Sequence, residues 1–127
     1  MTSSCIDILL AEDDEDLREA MVETLSDAGY TVEAVGNGRD ALEWLEDTDH
    51  PPKLILLDLM MPIMDGWQFL EKREKAPKAA SVPVVVLSAS ERFDSTNDTV
   101  LFMRKPVAVK PLLAIVASYC APGDPTP

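Results

Sequence analysis

The sequence is short of positive charge: its 127 residues carry 11 Lys and Arg against 23 Asp and Glu, a formal net charge of −12. Nucleic acids and anionic membranes attract proteins through positive potential. We therefore expect no direct nucleic-acid partner and no membrane binding. The excess carboxylates fit a metal-cation site or a basic partner, and they fit equally well a surface charge that only keeps the protein soluble.

Long apolar runs and paired metal-ligand motifs are also missing. No segment approaches the roughly 18 apolar residues of a membrane span. The opening MTSSCIDILLAEDD lacks the basic start and the apolar length of a signal peptide. Cys5 and Cys120 form neither a CxxC motif nor a zinc spacing, and His50, the only histidine, is expected to be exposed in a loop. Two free thiols fit a reducing compartment, so we expect a cytoplasmic protein.

What the chain does have is an alternation of apolar runs with segments of helical periodicity. Leu17, Met21 and Leu25 recur at helical spacing, for example. Alternating strands and helices, with uninterrupted apolar strands, indicate an α/β fold: a doubly wound, five-stranded parallel sheet covered by helices on both faces. The predicted strands are CIDILLA, TVEAV, KLILLD, VPVVVLS and VLFM, and the predicted helices are DEDLREAMVETLSDAG, GRDALEWLED, GWQFLEKREK and KPLLAIVASYC.

The length suits one domain that buries roughly two-thirds of its unfolded surface. We assign this domain to residues 1–121, and we predict that the Pro-rich tail over residues 122–127 is disordered. Because the chain has no room for a further DNA-binding or enzymatic unit, we expect it to act by docking to a partner protein.

Polar side chains stand where four of the predicted strands end. Glu12 and Asp13 follow the first strand, Asp58 ends the third, Ser88 ends the fourth, and Lys105 follows the fifth. Ligands of open α/β sheets bind at the carboxyl ends of the strands. Clustered carboxylates repel one another unless a cation intervenes, and Mg²⁺ prefers such oxygen ligands. Carboxylates, a metal, a lysine and a hydroxyl are together the groups that handle a phosphoryl group.

Two aspartates near this edge are interpreted differently. Asp58 interrupts an otherwise apolar run, and we interpret it as a nucleophile held rigidly where a phosphoryl donor can meet it in line. Asp14 belongs to the acidic cluster, but the sequence DEDL suits a helix N-terminus. We therefore expect Asp14 to cap the first helix and to stay outside the metal shell.

These motifs resemble the receiver domain of bacterial two-component response regulators, over about residues 6 to 120. The resemblance is carried by the acidic cluster after the first strand, LLDLMMPIMDG around the third, SA after the fourth and KP after the fifth. Each piece is weak alone, but all four in order are highly specific. The resemblance implies a flavodoxin-like receiver fold and a phosphorylation-activated signalling switch.

The resemblance also implies roles for individual residues. Asp58 would accept a phosphoryl group from a histidine kinase or a histidine phosphotransfer protein. Asp13 would bind Mg²⁺ directly, and Glu12 would contribute mainly through water. Asp58 and the backbone carbonyl of Met60 would complete the protein's share of the metal shell.

Three further residues are implied to act on the phosphoryl group or to report its arrival. Lys105 would pair with a phosphoryl oxygen, and the Lys105–Pro106 peptide is expected to be cis. Ser88 would donate a hydrogen bond to the phosphoryl group and pull its loop inward. Phe102 falls where the family keeps its switch aromatic.

The sequence departs from the family between Ser88 and Lys105, which are separated by 16 residues, fewer than is usual. The stretch ASERFDSTNDT that precedes the last strand is rich in residues that disfavour helix interiors. We therefore predict that the fourth helix of the receiver fold is shortened or absent. The phosphorylation chemistry should survive this change, whereas the usual output surface and mode of dimerisation are in doubt.

Two other functions are weighed against the switch. Haloacid-dehalogenase-like phosphatases also use an aspartate nucleophile with Mg²⁺, but they need a second aspartate two positions later, where this chain has Met60. We therefore expect no enzyme, only slow self-dephosphorylation. The other alternative is a pseudo-receiver that binds partners without being phosphorylated; the complete set of Asp13, Asp58, Ser88 and Lys105 argues against it.

Overall fold

The structure is a computed structural model, which describes residues 6–77, 79–88, 100–105 and 107–120. The described chain forms five strands and four helices in alternating order. The strands are β1 (Ile8–Ala11), β2 (Val32–Val35), β3 (Leu54–Asp58), β4 (Val84–Ser88) and β5 (Val100–Arg104). The helices are α1 (Glu15–Asp27), α2 (Gly38–Asp47), α3 (Gly66–Arg73) and α4 (Val109–Tyr119).

The five strands form one parallel sheet in the order β2-β1-β3-β4-β5. This order confirms the predicted doubly wound fold. The strand order reverses beside β1, which pairs with β2 on one side and with β3 on the other. In open α/β sheets, ligands bind at the carboxyl ends of the strands beside such a switch point, which here lies between β1 and β3.

The central strands β1, β3 and β4 are buried on both faces, because the strands alternate their side chains between two hydrophobic clusters. The edge strands β2 and β5 are only partly buried. On one face, Leu57 and Val86 pack with Phe69 of α3 and Leu45 of α2. On the other face, Leu56 and Leu87 lie in the cluster that packs against α1 and α4. Burial on both faces requires uninterrupted apolar runs, and these runs allow the strands to be predicted from the sequence.

Helix α1 begins as its sequence predicts. The Asp14 side chain accepts a hydrogen bond from the Leu17 N–H, which satisfies an N–H group at the helix start and confirms the predicted cap. Met21 and Leu25 are buried as their spacing predicts, but Leu17 is 37% exposed. The start of α1 is therefore less deeply buried than the turns that carry Met21 and Leu25.

Several expectations fall on residues outside the described ranges. They are the shortened fourth helix, which concerns residues 89–99, the tail over residues 122–127, and the cis Lys105–Pro106 peptide. His50 lies on the surface as predicted. None of the four helices in the described part of the chain combines the length and apolar character of a bilayer-crossing segment.

Candidate functional site

The predicted polar residues meet at the carboxyl edge of the sheet. Glu12 and Asp13 follow β1, and Asp58 and Ser88 end β3 and β4. Lys105 comes directly after β5, and its backbone N–H donates to the Ser88 carbonyl at 2.8 Å. The parallel register alone therefore brings together groups that are distant in sequence.

Lys105 links the two buried carboxylates of this edge. Its Nζ lies 3.1 Å from Oε1 of Glu12 and 3.2 Å from Oδ1 of Asp58. Glu12 is 1% exposed and Asp58 is 4% exposed, so neither charge is freely hydrated. A buried carboxylate requires a compensating partner, and the ammonium of Lys105 is one that both share.

Three carboxylates of this edge fit a divalent cation. Glu12, Asp13 and Asp58 each offer an oxygen, and these oxygens lie within 4.8 Å of one another. Asp13 is exposed to solvent, whereas the other two are buried. Three carboxylates against one ammonium leave two formal negative charges, and hard oxygen donors of this kind suit Mg²⁺. The donor set and the charge balance therefore both favour the predicted metal.

The electrostatics of the edge shift two pKa values. Burial raises the pKa of Glu12, and the nearby charge of Asp58 raises it further, against the Asp14 N–H and Lys105, which lower it. Burial alone would lower the pKa of Lys105, but its hydrogen bond to Glu12 and the charges of Asp58 and Glu12 outweigh burial, so that this pKa is raised. Lys105 is therefore a fixed cation at neutral pH.

The loop over residues 59–65 follows Asp58 and is tightly closed. The Gly66 N–H donates to the Leu59 carbonyl at 2.9 Å, and the Met64 N–H donates to the Pro62 carbonyl at 2.6 Å. Between these last two residues, Ile63 has a φ of 64°. A β-branched residue with positive φ is a backbone outlier, so the loop stores strain beside the candidate site.

Like Asp58, the predicted site residues Ser88 and Phe102 lie in the strands themselves. Ser88 is 4% exposed at the end of β4, where it stands in register with Arg104. Phe102 lies in β5, partly buried against the hydrophobic cluster that contains Leu57 and Val86. Its placement puts an aromatic ring on the α2–α3 face of the sheet, three residues before Lys105.

One residue that supports the site was missed at the level of sequence. Arg18 on α1 donates from Nη1 to the backbone carbonyl of Glu12 at 2.9 Å, and the Glu12 N–H donates to the Val35 carbonyl at 3.0 Å. These contacts hold the acidic loop against α1 and β2. An arginine in an acidic helix is more simply interpreted as a surface charge, so no sequence pattern indicates this contact.

Comparison with known proteins agrees with this geometry. Residues 8–117 match the family model of the response regulator receiver domain. The chain is 38% identical over 117 residues to the transcriptional regulatory protein HprR of Escherichia coli (strain K12), covering 86% of this chain and 49% of that protein. It is also 31% identical to a 14.6 kDa protein of Leptolyngbya boryana, covering 98% of this chain and 97% of that one.

A solved structure gives the same result. The signal receiver domain of a signal transduction histidine kinase from Syntrophus aciditrophicus superposes with a TM-score of 0.76 at 27% identity, covering 97% of this chain and 96% of that one. The chain spans about half the length of several curated regulators that it matches, HprR among them.

Proposed function

We propose that this chain, which belongs to the response regulator receiver domain family, is a signalling switch that is phosphorylated on Asp58. The observation that carries the proposal is the position of Lys105, within 3.2 Å of Asp58 and 3.1 Å of Glu12. A lysine between two buried carboxylates already provides the positive charge that a phosphoryl oxygen would need. It would exchange a carboxylate partner for the incoming phosphoryl group.

In the proposed reaction, an oxygen of Asp58 attacks the phosphorus of a phosphohistidine. The P–N bond breaks, its electron pair returns to the imidazole, and an acyl phosphate forms on Asp58. Among the described residues, the polar contacts of Asp58, from the Met60 N–H at 3.3 Å and from Lys105, both reach Oδ1. We therefore assign the attack to Oδ2.

Burial and fixed donors organise the groups around the phosphoryl group. The rigid end of β3 holds Asp58 in place, which favours in-line attack. Lys105 pairs with one phosphoryl oxygen, and the Ser88 hydroxyl donates to another. Phe102 is the proposed switch aromatic, which would repack against the sheet when Ser88 is drawn toward the phosphoryl group.

The metal is assigned to the three carboxylates. Asp13 and Asp58 would hold Mg²⁺ directly, Glu12 mainly through water, and the Met60 carbonyl would add a neutral oxygen. When bound, the cation supplies the positive charge that offsets repulsion between carboxylate and phosphoryl oxygens. The role of the protein is to keep these oxygens converged, and Arg18 contributes through its bond to the Glu12 carbonyl.

The partners follow from this chemistry. The donor is a histidine kinase or a histidine phosphotransfer protein, and the output is docking to a downstream protein in the cytoplasm. The domain is regulatory and catalyses only its own phosphorylation and slow dephosphorylation, because Met60 stands where a phosphatase of the aspartyl class needs a second aspartate.

Intact-protein mass spectrometry tests the proposal. After incubation with acetyl phosphate and Mg²⁺, the chain should gain the mass of one phosphoryl group. The adduct should be absent from Asp58→Asn and from a sample treated with EDTA. No adduct on the parent chain, combined with no binding of beryllofluoride, would identify a pseudo-receiver instead.

A further inference from the structure

The start of helix α2 contacts the loop that follows Asp58. Gly38 is the first residue of α2, and its backbone N–H donates to the Met64 carbonyl at 2.9 Å. Amides in the first turn of a helix have no partner within the helix. Here, one of these amides, that of Gly38, donates to a different element, the loop over residues 59–65.

The contact is close enough to require glycine. A Cβ on Gly38 would lie 2.8 Å from the Met64 carbonyl oxygen, 3.1 Å from Met64 Cγ and 3.2 Å from Phe69 Cβ. The oxygen belongs to the backbone, so it cannot rotate away as the end of a side chain could. A side chain at this position would therefore push the loop away from α2.

The same loop carries strain that something must hold in place. Strained backbone persists only where its surroundings over-determine it. The Gly38–Met64 bond fixes the loop directly after Ile63, and the Gly66–Leu59 bond closes its two ends. At its beginning, the Met60 N–H donates to Oδ1 of Asp58, so a movement of the loop reaches the phosphorylation site.

We propose that Gly38 is a positioning residue for the metal and phosphoryl site, because its contact with Met64 fixes the loop that bears Met60. This inference rests on the proposed function, since it concerns how that site is held. Gly38 touches neither the metal nor the phosphoryl group. It acts through the backbone of residues 59–65.

Three alanine variants separate this contact from other effects. Gly38→Ala adds the Cβ that meets Met64. Gly36→Ala is the matched control, because its Cβ would meet only Nη1 of Arg18 at 3.5 Å, an ordinary contact. Asn37→Ala removes the side chain that accepts from the Asp40 N–H and caps α2, and it leaves the Gly38 amide in place. It therefore destabilises the helix without altering the contact.

Isothermal titration calorimetry with MgCl₂ measures the effect, and thermal unfolding in EDTA measures stability separately. Gly38→Ala should weaken Mg²⁺ binding by about tenfold or more, as expected for lost support around a metal ligand. Phosphorylation by acetyl phosphate should fall with it. Asn37→Ala should lower the unfolding temperature by several degrees and leave Mg²⁺ affinity within about twofold of the parent. Gly36→Ala should change neither.

A loss of Mg²⁺ affinity in Gly38→Ala would not come from helix propensity, because alanine stabilises a helix relative to glycine by up to about 1 kcal/mol. Local propensity alone would therefore leave Gly38→Ala unharmed. Affinity of Gly38→Ala within about twofold of the parent, or an equal loss in Asn37→Ala, would overturn the proposal. A parent chain that neither binds Mg²⁺ nor takes up a phosphoryl group would reject the proposed function, and this inference with it.

A measurement on the unmodified chain covers the case in which Gly38→Ala does not fold. Saturating Mg²⁺ should slow hydrogen exchange of the Gly38 amide, because a fixed loop keeps its acceptor in place. The Asp40 amide, which bonds to Asn37 within the cap, should change little. Equal exchange of the Gly38 amide with and without Mg²⁺ would contradict the proposal.

Discussion

Lys105 donates from Nζ to Oε1 of Glu12 across 3.1 Å, although 93 positions separate the two residues in the chain. The parallel sheet creates this contact, because β5 and β1 both end at the same edge. Lys105 contacts two carboxylates in the unphosphorylated chain. After phosphorylation it is the proposed partner of a phosphoryl oxygen. Removing the lysine should therefore have opposite effects on Mg²⁺ binding and on phosphorylation.

Lys105→Met is expected to bind Mg²⁺ more tightly and to be phosphorylated more slowly. Without the ammonium, the carboxylates are more negative and attract the cation more strongly. The phosphoryl group loses a charged partner, a loss that typically costs about a hundredfold or more in rate. Calorimetry with MgCl₂ and the time course of acetyl phosphate labelling measure the two effects. Lys53→Met is the control, because Lys53 pairs with Asp7 at 3.5 Å, away from the site; weaker Mg²⁺ binding by Lys105→Met would contradict the expectation.

Glu12→Gln is expected to stabilise the metal-free chain and to weaken its affinity for Mg²⁺. Glu12 is a buried carboxylate whose pKa is raised by burial and by Asp58, so its charge is unfavourable without a metal. Glutamine keeps the shape and an oxygen for Lys105. A gain of about 1 kcal/mol in unfolding free energy is expected in EDTA, measured by urea denaturation. A loss of stability would mean that the pair with Lys105 outweighs burial.

Ile63→Asn is expected to stabilise the chain by about 1 kcal/mol. Ile63 has a φ of 64° and is 71% exposed, so it carries backbone strain with little burial in return. Asparagine tolerates this conformation. Ile63→Val keeps the β-branch and should give no gain. Thermal unfolding of both variants tests this expectation. An equal rise in the stability of Ile63→Val would indicate an effect of surface hydrophobicity rather than of backbone strain.

Cys120 should react slowly with thiol reagents in the folded chain. Burial raises the pKa of its thiol to about 11, with Asp7 adding to the effect and Lys53 opposing it. Because the thiolate is the reactive form, reaction should stay slow at pH 8 and accelerate as the pH approaches 11. Disulfide-exchange labelling of Cys5→Ser, in which Cys120 is the only thiol, measures this. The unfolded chain in urea is the positive control, and an equally fast folded chain would contradict the assignment.

Much of the fold could be predicted because the three central strands, β1, β3 and β4, are buried on both faces. That environment forces uninterrupted apolar runs, and β3 shows it in LILLD, whose residues are all buried. The site could be predicted for a related reason: strand ends of a parallel sheet share one edge, so residues 12, 58, 88 and 105 had to come together. Leu17 shows the limit, since periodicity places a residue on a face of the helix but does not say how deeply that position is buried.

The supporting contacts could not be predicted. The bond from Gly38 to Met64 joins two backbones, and a glycine at a helix start does not indicate which other element approaches it. Arg18 reaches a backbone carbonyl for which any nearby donor would serve. The positive φ of Ile63 could not be predicted either, because a β-branched residue strongly disfavours that backbone conformation. The first two contacts depend on how a helix meets a loop, which no local pattern encodes.

The late position of Lys105 in the chain also has a consequence for biosynthesis. While the polypeptide emerges from the ribosome, β1, β2 and β3 are made before β5, so Glu12 and Asp58 exist for a time without their shared counterion. Two uncompensated carboxylates oppose burial at that edge. The carboxyl edge of the sheet therefore acquires the ammonium that Glu12 and Asp58 share only when β5 joins the sheet.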